Sequence, residues 1–170
     1  MESRDDDGRG TIRDGVILMN NLPISHLSDS PFGTKIRSED IADTLCFFDD
    51  WEDRYRYIID LGKELPRLPE SFKTDENIIV GCQSQVWLVC EYDEINGLLL
   101  MAVDSEAQIV KGLASIVLSA FNKKTPQKVA DFDIEAFFTE IDLFSHLSSM
   151  RGNGLRAMVK KILHVAKQYC

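Results

Sequence analysis

Val86-Trp87-Leu88-Val89-Cys90-Glu91-Tyr92, then Asp93-Glu94-Ile95-Asn96-Gly97, then Leu98-Leu99-Leu100-Met101-Ala102-Val103, is the stretch that decides the fold. Its first part is rich in β-branched and aromatic residues, its middle supplies the positive-φ-tolerant pair Asn96-Gly97, and its last part returns as an apolar run. The reading is an antiparallel hairpin. Downstream, Asp104 or Ser105 is placed to cap a long helix whose Ile109, Val110, Leu113, Ile116, Val117 and Ala120 recur at helical spacing and face the sheet. Thr125-Pro126 opens a short helix, with proline at its first position. Asp133 begins another, with Phe137, Phe138 and Ile141 inward, and Asn153 is read as the cap of a final helix striped by Leu155, Met158, Val159, Ile162, Ala166 and Tyr169.

Upstream of the hairpin, Ile78-Ile79-Val80 precedes the polar turn Gly81-Cys82-Gln83-Ser84-Gln85. Before it, Pro66 and Pro69 close a helix that Asp50 caps and that Trp51, Tyr55, Ile58 and Ile59 bury. Ser38 is expected to cap an earlier helix, with Ile41, Leu45 and Phe48 on one face. Residues 1–30 have no sustained apolar period and read as a flexible extension, within which Met19 is a candidate natural start; residues 31–170 form the domain. The fold class is α+β, a small antiparallel sheet packed against several helices.

A chain of 170 residues with 44% hydrophobic and 28% charged side chains fits one ordinary domain. A formal net charge of −9 opposes broad contact with nucleic-acid phosphates or anionic lipid, so neither nucleic acid nor membrane is expected as a partner. Residues 151–170 depart from this balance, with five basic and no acidic side chains. They read either as the solvated face of a helix whose cations suit its C-terminal dipole or as a docking face for an acidic partner. The first residues lack a signal-peptide profile and no apolar run is long enough to span a bilayer, so the expected location is the cytoplasm.

Four cysteines, Cys46, Cys82, Cys90 and Cys170, are too few to staple a chain of this length and are expected as free thiols. Cys46 in a helix and Cys90 in a strand read as small buried hydrophobes, and Cys170 as an exposed terminal thiol. Cys82 differs: it follows a glycine in a polar turn between an apolar run and a strand, a place from which a thiol can meet another molecule. His26, His146 and His164 have no ligand spacing with one another or with the cysteines, so no metal site is expected.

Gly81-Cys82-Gln83-Ser84-Gln85-Val86-Trp87, together with Trp51-Glu52-Asp53-Arg54-Tyr55 upstream and Asp104-Ser105, Ile109-Val110-Lys111-Gly112-Leu113, Arg151 and Gly154-Leu155 downstream, resembles the SufE/CsdE sulfur acceptors from about Pro31 to Tyr169. The Gln-Ser-Gln after Cys82 is SufE-like. Pro31-Phe32-Gly33-Thr34, Leu61-Gly62-Lys63 and Leu65-Pro66-Arg67-Leu68-Pro69 look more like CsdE, which is slightly preferred. Met150 stands where the family usually places serine.

The resemblance implies a SufE-like fold, related to the IscU-like iron–sulfur scaffolds. It implies that Cys82 accepts persulfide sulfur from a pyridoxal-phosphate (PLP) cysteine desulfurase, CsdA- or SufS-like, stimulating that enzyme and passing the sulfur to a downstream acceptor or iron–sulfur scaffold. The chain would then be a sulfurtransferase-like partner rather than a self-sufficient enzyme, with no cofactor of its own and the sulfur held covalently on Cys82. Gly81 would be the loop hinge, Arg151, Gln83 and Gln85 anion stabilisers or loop supports, and Asp104 and Lys111 partner contacts; for Arg151 a backbone-bonding role, and for Asp104 a helix cap, stand beside these. The alternatives are a non-carrying allosteric activator of a desulfurase and a thiol peroxidase or reductase using Cys82.

Overall fold

The computed structural model describes residues 24–170 and, upstream, the paired strands β1 (Ile12–Arg13) and β2 (Val16–Ile17). The rest of the segment before Ile24, including the expected start at Met19, lies outside the described residues. The hairpin is formed by β3 (Val86–Asp93) and β4 (Leu98–Ser105), antiparallel from Val86↔Ser105 to Asp93↔Leu98. Asp93 builds its turn: its carboxylate accepts the Ile95 and Asn96 backbone N–H groups and, at 2.7 Å, the Asn96 side-chain amide, while Gly97 takes φ +69°.

A lone hairpin of two eight-residue strands is marginal by itself, so both of its faces are covered. Leu88, Leu99, Met101 and Val103 enter the main core beneath α4 (Gln108–Phe121), as expected. Trp87, Val89 and Leu100 point the other way into a smaller cluster with Leu68 and with Leu27 of α1 (Ile24–Ser28).

That second cluster includes a residue from ahead of the expected boundary at residue 30. Leu27 is buried, and the Lys123 ammonium donates to the Ser28 and Ser30 carbonyls at 2.8 and 2.6 Å. Buried Asn122 continues the tether, its amide donating to the Phe32 carbonyl at 3.1 Å and its carbonyl accepting Met101 N–H at 2.9 Å. Sequence periodicity misses a segment held by single anchors rather than by a repeating stripe.

Around the sheet lie α2 (Ser38–Phe47), α3 (Trp51–Lys63), α5 (Pro126–Asp131), α6 (Ile134–Glu140) and α7 (Ser149–Gln168). Asp50, Thr125 and Asp133 cap their helices as expected, each accepting the backbone N–H three residues on. Three starts differ. Ser38 is already the first helical residue of α2, and Asp40 accepts the N–H of the cap Arg37 at 3.1 Å. The cap of α4 is Ala107, because Asp104 and Ser105 still belong to β4. Ser148, not Asn153, caps α7, its hydroxyl accepting Arg151 N–H, so the helix starts ahead of the expected point and runs through both Gly152 and Gly154.

Several expected core positions are less buried than their spacing predicts. Cys46 is exposed, lying off the covered line of Ile41, Ala42 and Leu45, and Phe48 is half-buried past the end of α2. The buried line of α3 is Ile58, Leu61 and Gly62, whereas Trp51 is half-buried and stacks on His146 at 4.2 Å.

Helix α4 is buried around nearly its whole circumference, and its Ser115 and Ser119 hydroxyls donate to the Gly112 and Ile116 carbonyls at 2.6 and 2.5 Å. It meets α3 backbone to backbone. A Cβ on Gly112 would lie 2.1 Å from the Ile58 carbonyl oxygen, and one on Gly62 would lie 2.7 Å from the Gly112 nitrogen. Gly112→Ala is therefore expected to destabilise the domain by about 2 kcal/mol or more, since forcing the helices apart outweighs the ~1 kcal/mol gain in helix propensity. Urea unfolding checks this, and an unchanged or raised midpoint would contradict the close contact.

Candidate functional site around Cys82

The loop carrying Cys82 leaves the fold after Ile79 and re-enters at Val86, and its base is pinned. Ile79 N–H donates to the Val86 carbonyl and Leu88 N–H to the Asn77 carbonyl, both at 2.8 Å. The Ser105 hydroxyl, at the end of β4, donates to the Gln85 carbonyl at 2.7 Å. Between these anchors Gly81 takes φ +94°, a conformation that L side chains rarely adopt, and no atom stands within 4 Å of where its Cβ would be. The left-handed turn leaves Val80 83% exposed and aims Cys82 inward.

Cys82 faces a largely apolar cavity of about 30 Å³ walled by Val110, Leu113 and Ala114 of α4 and by Leu155 and Met158 of α7. That is above the roughly 10–15 Å³ needed to admit one water-sized group. Cys82 also lies against α7 at Gly154, where a Cβ would stand 2.7 Å from the Cys82 sulfur. Burial pushes the Cys82 thiol above its ordinary value, because the apolar walls disfavour the thiolate. The Arg151 guanidinium, on a residue that lines the same cavity, does not counter this shift.

The residues picked out in the sequence divide into two groups. Cys82, Gln83 and Arg151 come together at the cavity, with Met150 at its mouth, 53% exposed. Gln85 does not line the cavity; its side chain is exposed while its carbonyl anchors the loop through Ser105. Asp104 is a buried strut rather than a helix cap. It accepts Ser105 N–H at 2.8 Å and pairs with Lys73 at 3.3 Å and Lys111 at 3.6 Å, while Lys73 also lies 5.4 Å from the centre of the Trp87 ring. Lys111 keeps about a third of its side-chain surface exposed.

The other cysteines offer no comparable setting: Cys46 and Cys170 are exposed, and burial pushes the Cys90 thiol up to about 12. Among the described residues no group of three or more His, Cys, Asp or Glu is placed to hold a metal ion, and no helix is long and apolar enough to cross a membrane.

Sequence reasoning missed Ser105 as the loop anchor and Gly154 as the floor beneath the thiol. Gly154 did leave a signal. Two glycines inside a strongly patterned helix each cost about 1 kcal/mol relative to alanine, which implies a packing reason for keeping them.

Comparison with known proteins bears on the family and the fold. The SufE model, described as an Fe-S metabolism associated domain, matches residues 39–166. An uncharacterized SufE-like protein of Rhizobium etli is 48% identical over 131 residues, covering 76% of this chain and 88% of that protein. A second, from Rhizobium meliloti, is 47% identical over 126 residues, covering 73% and 90%. The solution structure of a hypothetical protein from Thermus thermophilus superposes with a TM-score of 0.64, covering 78% of this chain and 94% of that one; at 14% identity the likeness is one of fold.

Burial of the neutral thiol makes pH the direct test. In the folded protein, the rate at which iodoacetamide alkylates Cys82, followed by peptide mass, should rise with pH to a midpoint above that of an unfolded control, whose thiol titrates near ~8.5. A folded midpoint at or below the control would mean that the thiol is not sheltered.

Proposed function

The chain belongs to the SufE family, and we propose that within it Cys82 is a sulfur acceptor, taking the outer sulfur of a cysteine desulfurase persulfide and passing it on. The observation that carries this reading is a thiol on a glycine-hinged, base-pinned loop, sheltered in a small apolar cavity at rest. Such a thiol is poorly reactive by itself and becomes competent when the loop turns outward into water or into a partner's site.

The step is thiol–disulfide exchange with one added sulfur. The Cys82 thiolate attacks the terminal sulfur of the donor persulfide, a new S–S bond forms on Cys82, and the donor's S–S bond breaks with the electron pair leaving on the donor cysteine as thiolate. No external oxidant or reductant is required. The donor is a PLP-dependent desulfurase, CsdA- or SufS-like, which generates its persulfide from free cysteine; the sulfur goes next to a downstream acceptor or iron–sulfur scaffold. The CsdE-like segments bear on which of the two desulfurases serves. Free thiols suit a reducing compartment, so the cytoplasmic location belongs to the same proposal.

Exposed Val80, two residues before Cys82, and Met150, which lines its cavity, favour contact with a partner there. The buried Asp104 carboxylate is better suited to holding β4 and α4 in register than to touching the partner, and Lys111 contributes through that ion pair.

Incubation of the reduced protein with a cysteine desulfurase and free cysteine should add one sulfur atom to the Cys82 peptide and to no other, and Cys82→Ser should abolish the gain. Desulfurase stimulation that survives in Cys82→Ser without sulfur transfer would replace this reading with allosteric activation. Absence of both effects, with peroxide consumption dependent on Cys82, would replace it with a thiol peroxidase.

A further inference from the structure

We infer that Gly154 is a positioning residue for the Cys82 loop: the missing side chain at that turn of α7 is what allows the thiol to rest in its cavity, and the size of residue 154 sets whether the loop rests closed or open. The three atoms nearest a Cβ built on Gly154 all belong to Cys82, namely its sulfur at 2.7 Å and its Cα and Cβ at 3.4 Å. A methyl group there and the thiol cannot both keep their places.

The two sides of this contact differ in what they can yield. Helix α7 is fixed on the core through Leu155, Met158, Val159 and Ile162, all buried. The loop, by contrast, is open to solvent between its pinned ends. Gly81 is exposed with open space where its Cβ would be, and Val80 faces solvent. An added methyl is therefore relieved by the loop swinging out, which carries Cys82 from the apolar cavity into water. The raised thiol of the resting protein agrees with a closed seat that loses its solvation when shut.

Gly152 provides the matched control. It is buried on the same helix, but a Cβ there would meet only the Phe144 ring at 3.4 and 3.5 Å, an ordinary contact. Gly152→Ala and Gly154→Ala thus gain the same helix propensity and differ in whether they touch Cys82.

This positioning role rests on Cys82 being the working thiol, yet its test needs no desulfurase. Iodoacetamide alkylation of each reduced variant, resolved by peptide mass, is expected to run at least about tenfold faster at Cys82 in Gly154→Ala than in the parent, because an open conformer that is normally a minor one becomes the main one. Its pH midpoint should fall towards that of the unfolded control, while Gly152→Ala stays near the parent. Cys90, half-buried with its thiol pushed up to about 12, reports on unfolding and should stay far slower than Cys82 throughout. An unchanged or slower Cys82 in Gly154→Ala, equal acceleration in Gly152→Ala, or alkylation of Cys90 together with Cys82 would each overturn a local seat. If the alkylation pattern holds while no sulfur is transferred, the seat stands and the acceptor role falls; if sulfur is transferred while the alkylation pattern is unaltered, the acceptor role stands and the seat falls.

Discussion

Helices α3 and α4 touch through their backbones, with Gly62 and Gly112 giving up their side chains at the crossing. The rest of the domain depends on that closeness. Two strands cannot enclose a core, so α4 must serve as its axis, covered by α3 on one side and by the sheet and α7 on others. Were the crossing wider, α4 would shift, and with it Val110, Leu113 and Ala114, which wall the cavity at Cys82. The stability of the fold and the shape of the site thus share one geometric origin.

At the site two demands on a cysteine pull in opposite directions. Nucleophilic attack wants a thiolate, and storage wants the sulfur away from water and oxidants. A fixed environment would have to compromise. In the proposed cycle the loop separates the demands in space, with shelter against α7 at rest and reactivity outside, and its pinned base would keep the excursion local. Ser105 matters here because one hydroxyl joins the end of β4 to the last residue of the loop, and Asp104 beside it ties that corner to α4 through Lys111.

The hairpin, the amphipathic faces and three helix caps were legible because each is written in short-range pattern: alternation, helical spacing, and a capping side chain three residues from its partner N–H. The loop position of Cys82 was legible by the same means, as a thiol after a glycine in a polar turn. What stayed hidden depends on contacts distant in sequence. Leu27 is held by Trp87, Val89 and Leu100, far along the chain, and no pattern within α7 shows that the Cys82 sulfur lies opposite Gly154. Asp104 and Ser105 look like capping residues for α4, but the strand pairing extends through them and converts both into anchors. Arg151 lines the Cys82 cavity, while burial alone accounts for the direction in which the resting thiol is shifted.

The floor of the Cys82 cavity is also late in the order of synthesis. Gly154 and Met158 follow the cysteine by some seventy residues, a lag of roughly 4–14 s at about 5–20 residues per second. During elongation the loop and its hairpin emerge before the helix that closes over the thiol, so the nascent chain carries an unroofed cysteine for seconds. For every new molecule the sulfur's first neighbours are therefore the solutes and chaperones around the ribosome, and protection begins only when α7 docks.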